Sequence, residues 1–143
     1  MKRRVADKFF PPIKPRHSGF LSVGDGHEIY YEECGNPNGV PVLYLHGGPG
    51  AGCDENTRRF FDPQKCRIII FDQRGSGRSK PYASTYANTT WHLVEDIQKI
   101  LKHIGIEKVI IFGGSWGSTL GLVYAIKYPK MVLGMVLRGI WLC

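Results

Sequence analysis

Cysteine is scarce in this sequence and shows no informative spacing. The 143 residues contain four cysteines, with no C-x-x-C pair and no metal-like cluster, at Cys34, Cys53, Cys66 and Cys143. Small domains that depend on disulfides are richer in cysteine and belong to oxidising compartments. We therefore expect reduced thiols in a cytoplasmic protein, with neither a bound metal nor another cofactor.

Long apolar runs are also missing. No run approaches the roughly 20 residues that a membrane-spanning helix needs, and no apolar segment follows Lys2-Arg3-Arg4 as in a secretory signal. Repeats and low-complexity segments are absent too. An apolar content of 43% with 22% charged residues is typical of a globular domain.

Acidic residues are few at the N-terminus. The formal net charge is +7, and residues 1–16 hold six basic residues and one acid. A basic arm can contact nucleic acid or acidic lipid, but a solvated tail is commoner, and Phe9-Phe10-Pro11-Pro12 suggests packing. We divide the chain into a basic arm, 1–16, and a folded region, 17–143. We predict neither a nucleic-acid nor a membrane partner, and the oligomeric state stays open.

Strand-like and helix-like segments alternate along the domain. Two strand-like runs flank Gly24-Asp25-Gly26, which predicts a leading hairpin. Apolar strands are predicted over residues 42–45, 68–71, 109–112 and 131–137, and helices over 55–61, 90–104 and the segment after 115. This alternation predicts an α/β fold with a mainly parallel sheet and an antiparallel hairpin at its edge.

The stretch around Ser115 carries the most informative motif. Its pattern is G-x-S-x-G, formed by Gly113, Gly114, Ser115, Trp116 and Gly117. Between a strand and a helix, this pattern is typical of a nucleophile elbow, a sharp turn that presents a serine hydroxyl at a helix N-terminus. The helix N-terminus offers backbone N–H groups that suit an oxyanion. The Gly-rich turn of a dinucleotide-binding unit is disfavoured, because G-x-G-x-x-G requires glycine where Ser115 stands.

Three loops of unusual composition, beginning at His46, Asp72 and Gly113, each follow a predicted strand. The carboxyl ends of parallel strands meet at one edge of a sheet, so we expect the three loops to gather there. We interpret the loop at Gly47 and Gly48 as the second oxyanion donor, beside the N–H of Trp116. The alternative is a tight turn stiffened by the following proline.

Other polar and aromatic residues have plainer interpretations. We expect His46 to hydrogen-bond its own loop rather than act as a base, because the usual base lies downstream of the serine. Asp72, Arg74 and Arg78 could bind an acidic substrate, but an internal ion pair that holds their loop is the favoured interpretation. Among the tryptophans, Trp116 is expected to line a pocket, and Trp91 and Trp141 are expected to be core or packing residues.

Three motifs together resemble a known family, the prolyl aminopeptidases or proline iminopeptidases, which are α/β-hydrolase-fold serine peptidases. The motifs are His46-Gly47-Gly48-Pro49-Gly50, Asp72-Gln73-Arg74-Gly75-Ser76-Gly77-Arg78-Ser79 and Gly113-Gly114-Ser115-Trp116-Gly117-Ser118. The resemblance covers residues 10–141. It implies release of an N-terminal proline from peptides without a metal. It further implies that Ser115 is the nucleophile and that the oxyanion donors lie at Trp116 and at Gly47 or, by preference, Gly48.

The sequence departs from the family pattern after the serine. The triad order in this fold is Ser, then Asp or Glu, then His. After Ser115 the chain contains no Asp, Glu or His, since the last acid is Glu107 and the last histidine is His103. We therefore expect the N-terminal half of an enzyme, without the cap and the C-terminal half, and inactive alone.

Two other functions stay open. Another α/β hydrolase, such as an esterase, shares the chemistry of the elbow, whereas an epoxide hydrolase is disfavoured because its nucleophile is a carboxylate. A non-catalytic half-domain is the alternative from a different class, and the missing downstream residues favour it for this chain as it stands.

Overall fold

The structure, a computed structural model, describes residues 8–142. Within them a single sheet contains β1 (His17–Gly24), β2 (His27–Gly35), β3 (Val40–Leu45), β4 (Cys66–Phe71), β5 (Val109–Gly114) and β6 (Val132–Arg138). The helices are α1 (Thr90–His103) and α2 (Trp116–Lys127), and short 3-10 helices lie at Glu55–Phe60 and Pro129–Met131. Strands thus alternate with helices after the first hairpin, as the apolar pattern predicts.

The strands lie in the order β1-β2-β4-β3-β5-β6. The β1–β2 and β2–β4 pairs are antiparallel, whereas β3 pairs in parallel with β4 and β5, and β5 pairs in parallel with β6. The hairpin turn has positive φ at Asp25 (57°) and Gly26 (75°), which suits the twist of antiparallel strands. The prediction of an α/β fold with a leading antiparallel hairpin is confirmed.

Both faces of the sheet are covered by apolar side chains. Helix α1 packs on one face through a stripe of buried residues, namely Leu93, Val94, Ile97, Ile100 and Leu101. Thr89 begins this helix by accepting a hydrogen bond from the N–H of His92. A smaller cluster around Cys34, Ile68 and Ile70 covers the other face. The apolar runs within the middle strands, such as Ile68–Phe71 in β4, follow from burial on both sides.

The described part of the basic arm contacts the domain. The N–H of Phe10 donates to the carbonyl of Arg59 at 3.0 Å, and Nε of Arg59 donates back to the carbonyl of Phe10 at 2.9 Å. Residues 1–7 of the arm lie outside the described residues, as does Cys143. The division of the chain at residue 16 therefore stays a prediction.

Two details differ from the sequence-based expectation. The last strand begins at Val132 rather than at residue 131, because Pro129 opens a 3-10 turn that includes Met131. Trp91 is 61% exposed on the outer face of α1, so its assignment to the core is wrong. Trp141 is half exposed, but its ring packs against that of Trp116 at 6.4 Å between centroids.

The three cysteines within the described residues are free thiols. Burial raises the pKa of Cys34 to about 12 and raises that of Cys53 further, so both thiols stay protonated at neutral pH. Among the described helices, none is long and apolar enough to cross a membrane.

Candidate active site

Ser115 forms the turn between β5 and α2. Its backbone has φ 53° and ψ −123°, a conformation that L side chains rarely adopt and that costs about 1–3 kcal/mol. The turn is held on both sides: the N–H of Ser115 donates to the carbonyl of Arg138 at 2.9 Å. Its carbonyl accepts from the N–H and the hydroxyl of Ser118 at 2.9 and 2.6 Å. The exposed serine is thus presented at the start of α2.

The glycines of the elbow are required by close backbone approaches at two of three positions. A Cβ atom at Gly113 would lie 2.4 Å from the carbonyl oxygen of Gly117. A Cβ at Gly117 would lie 2.1 Å from the carbonyl oxygen of Leu45, at the end of β3. At Gly114 the nearest atom to such a Cβ is 3.8 Å away. Gly113 and Gly117 are therefore needed for packing of the turn, and Gly114 is not.

The loop of Gly47 and Gly48 lies at the same edge of the sheet as Ser115. A Cβ atom at Gly47 would be 3.3 Å from Cβ of Ser115 and 3.9 Å from its Oγ. Gly48 has φ 117°, which favours glycine. Within residues 8–142, the N–H groups of Gly48 and Trp116 donate to no other group of the chain. Their role as oxyanion donors beside Ser115 stays a prediction, with which the lack of an acceptor for both N–H groups is compatible.

His46 is buried and committed to its own loop. Its Nε2 accepts from the N–H of Gln73 at 3.0 Å, so the proton lies on Nδ1, which donates to the carbonyl of Gly47 at 2.9 Å. Burial lowers the pKa of His46 and favours this neutral form. Neither ring nitrogen can serve Ser115, in agreement with the structural role inferred from the sequence.

Gln73 is a site residue that the sequence analysis missed. Its Oε1 accepts from the indole Nε1 of Trp116 at 3.0 Å, and its Nε2 donates to the carbonyl of His46 at 2.9 Å. The residue is only 2% exposed. The available signal was its place after β4, because the loop that follows this strand reaches the same edge as the other two loops.

The remaining charges of this edge form ion pairs with buried carboxylates. The Asp72 carboxylate accepts from Nε and the N–H of Arg78 at 2.8 and 2.9 Å. Arg74 makes a two-pronged pair with Asp96 at 2.7 and 2.9 Å. Buried Arg74 and partly exposed Arg78 are thus each paired with a carboxylate of the same chain, as the interpretation of an internal ion pair requires.

A further buried carboxylate extends this network. Glu32 accepts from Arg58 at 2.7 and 2.8 Å and from Arg78 at 2.8 Å. Burial alone would raise the pKa of Glu32, but the hydrogen bonds from Arg58 and Tyr30 outweigh it and hold that pKa below its usual value. The loop after β4 is thus fixed to the sheet by charges that stay paired at neutral pH.

Comparison with known proteins agrees with the α/β fold described above. Residues 40–142 match the family described as the alpha/beta hydrolase fold. This chain belongs to the alpha/beta hydrolase fold family. It is 59% identical over 130 residues to a proline iminopeptidase of Neisseria meningitidis, and 53% identical over 133 residues to one of Arabidopsis thaliana.

The matches cover most of this chain but less than half of each relative. They span 91% of the chain and 42% of the Neisseria protein, and 93% and 35% for the Arabidopsis protein. The crystal structure of the Mycobacterium smegmatis proline iminopeptidase superposes with a TM-score of 0.71 at 28% identity, over 83% of this chain and 42% of that one.

An open cavity of about 540 Å³ lies beside the elbow of this alpha/beta hydrolase. Trp116, Gln73 and Pro49 line it, together with hydroxyl and amide side chains such as Ser84, Thr89 and Asn88. Trp116 therefore faces a cavity, as the sequence suggested, whereas Ser115 lies next to the cavity and does not line it. Arg74, the charged residue of the lining, is already paired with Asp96.

The site of this alpha/beta hydrolase contains a serine and unpaired N–H groups but no catalytic base within the described residues. Activation of serine requires a neighbouring group that takes its proton. His46 has no free nitrogen, and no His, Asp or Glu follows Ser115 in the 143-residue sequence. What the arrangement provides is an exposed serine on a strained turn and two backbone N–H groups without an acceptor among the described residues.

Proposed function

We propose that this chain is the nucleophile-bearing part of a serine aminopeptidase that releases N-terminal proline from peptides. The observation that carries the proposal is 59% identity to a proline iminopeptidase, over a segment that contains the strained turn at Ser115. The roles of individual residues, and a cytoplasmic location, stay predictions.

In the proposed reaction the Ser115 hydroxyl attacks the carbonyl carbon of the prolyl residue. The carbonyl oxygen then becomes an oxyanion, which accepts hydrogen bonds from the N–H of Trp116 and from the Gly48 N–H of the Gly47-Gly48 loop. Collapse of this intermediate releases the shortened peptide and leaves a prolyl ester on Ser115, which water hydrolyses. A base must take the proton of the Ser115 hydroxyl during the attack and give it to the leaving amine, and an acidic residue must orient that base. Both groups must come from outside residues 1–143.

The test combines this chain with the remaining part of the Neisseria protein, added as a separate polypeptide. A fluorogenic prolyl amide reports aminopeptidase activity, and a simple acetate ester reports general esterase activity. We expect no enzymatic turnover by the chain alone, since an oxyanion hole without base and acid leaves only about 10³–10⁴-fold over water. We expect prolyl-amide turnover after the second polypeptide is added.

Two variants make the result specific. Ser115→Ala removes the proposed nucleophile and should abolish the turnover of the combined sample. Ser22→Ala, an exposed serine on β1 at the far edge of the sheet, should leave it unchanged. Cleavage of the ester but not the prolyl amide would favour the esterase alternative. Fast turnover by the chain alone, lost in Ser115→Ala, would show that the chain supplies its own base.

A further inference from the structure

The two proposed oxyanion donors belong to different loops. Gly48 follows β3, and Trp116 follows β5. The two strands are hydrogen-bonded neighbours as far as the pair formed by Leu45 and Gly113. Both donors lie beyond that pair, so the ladder itself does not fix the distance between them. Their spacing must be set by contacts among the loops.

Gln73 makes such a contact from the loop that follows a third strand, β4. Its amide oxygen accepts from the indole of Trp116, and its amide nitrogen donates to the carbonyl of His46, two residues before Gly48. Its backbone N–H also donates to the ring of His46. The side chain is almost fully buried, so water cannot replace these partners at low cost.

An amide is the chemical group that fits this position. One end must accept a hydrogen bond from the loop after β5, and the other must donate one to the loop after β3. A methionine of similar length cannot donate and accepts only weakly, and an ionised glutamate can only accept. The contact therefore depends on the chemistry of glutamine and not only on its volume.

We propose that Gln73 is a positioning residue that sets the spacing between the Gly48 and Trp116 oxyanion donors, a role that rests on the proposed serine hydrolase function. An oxyanion donor must lie within about 2.7–3.1 Å of the developing charge. Loss of a whole donor costs roughly 10²–10³ in kcat. Displacement of both loops without loss of either donor should cost about 10–100-fold, mainly in kcat.

The kinetic test uses the chain combined with the remaining part of the Neisseria protein. Gln73→Met should lower kcat about 10–100-fold with KM within about twofold of the wild type. The control is Gln98→Met, because the Gln98 side chain also accepts a hydrogen bond from an aromatic residue, the Tyr124 hydroxyl, but away from the elbow. The control should keep kcat. A loss confined to KM, or an equal loss in the control, would overturn the proposal.

The pH dependence of Gln73→Glu separates positioning from packing. The ionised carboxylate still accepts from Trp116 but faces the carbonyl of His46 without a proton to donate. The protonated carboxyl group can do both, so the activity of this variant relative to the wild type should rise as pH falls. A relative activity that is constant with pH contradicts the proposal.

A spectroscopic test on the chain alone needs no substrate. Ultraviolet resonance Raman spectra of the indole modes report hydrogen bonding by N–H, and subtraction of a Trp116→Phe spectrum isolates Trp116. Gln73→Met should weaken this signature, whereas Gln98→Met should not. An unchanged signature would refute the contact even if the aminopeptidase function holds. If only the acetate ester is cleaved, proline specificity fails, but the kcat comparison still tests Gln73 with that ester.

Discussion

Gly117→Ala tests how closely the elbow packs against the end of β3. The added methyl group would lie 2.1 Å from the carbonyl oxygen of Leu45 and 3.0 Å from that of His46. Both obstacles are backbone atoms, so the helix and the strand must separate by about 1 Å. Overpacking of this kind lowers the free energy of unfolding by about 3 kcal/mol, and the better helix propensity of alanine raises it by about 1 kcal/mol. We expect a net loss of at least about 2 kcal/mol.

The matched control for this prediction is Gly114→Ala. It adds the same methyl group three residues earlier, where the nearest atom is 3.8 Å away. Its free energy of unfolding should stay within about 0.5 kcal/mol of the wild type. Urea unfolding followed by tryptophan fluorescence at submicromolar concentration measures both variants. Equal stability of the two variants would refute the close approach between α2 and the carbonyl of Leu45.

Three further predictions concern association, pH and buried charge. Within the described residues β6 pairs only with β5, and its Val136 is exposed, so the chain should associate at micromolar concentration. Val136→Lys should lower the average mass measured by light scattering. A monodisperse wild-type monomer would contradict this. Because burial lowers the pKa of His46, the free energy of unfolding should be highest above about pH 6.5 and should fall as the pH drops below that value. The fall should be less steep in His46→Gln. If the urea midpoints of wild type and variant run parallel from pH 7 to 5, His46 is not the cause. Asp96→Asn should lower the free energy of unfolding in urea by about 3 kcal/mol or more, because it leaves the charge of buried Arg74 only partly compensated. Glu95→Gln, which breaks a partly exposed pair, should lower it by under about 1 kcal/mol. Similar losses in the two variants would contradict this difference.

Local signals in the sequence predict most of this fold. Buried parallel strands are short apolar runs, and the stripe of α1 has helical spacing, so both appear in the sequence without knowledge of their partners. The strand, the glycines and the following helix likewise locate the turn at Ser115. The predicted start of β6 lies one residue before the observed one, because the turn at Pro129 competes with the strand pattern.

The contacts between different loops could not be predicted from local signals in the sequence. The sequence shows three glycines at the elbow, but only the approach of Leu45 reveals that Gly117 is required and Gly114 is not. Gln73 contacts residues 27 positions before it and 43 after it, and no periodicity encodes that distance. Trp91 was misplaced because large apolar residues are usually buried, whereas one on the outer face of a helix need not be.

The hydrogen bond between Ser115 and Arg138 has a consequence for biosynthesis. A ribosome makes Ser115 before Arg138, so the nascent chain contains the serine for 23 residues before the acceptor of its N–H exists. During that interval nothing from β6 opposes relaxation of the unfavourable backbone angles. The hydrogen bond that holds the Ser115 N–H can therefore form only after β6 has been synthesised and has paired beside β5. Until then the turn is held only by the contacts of Ser118 and Gly117.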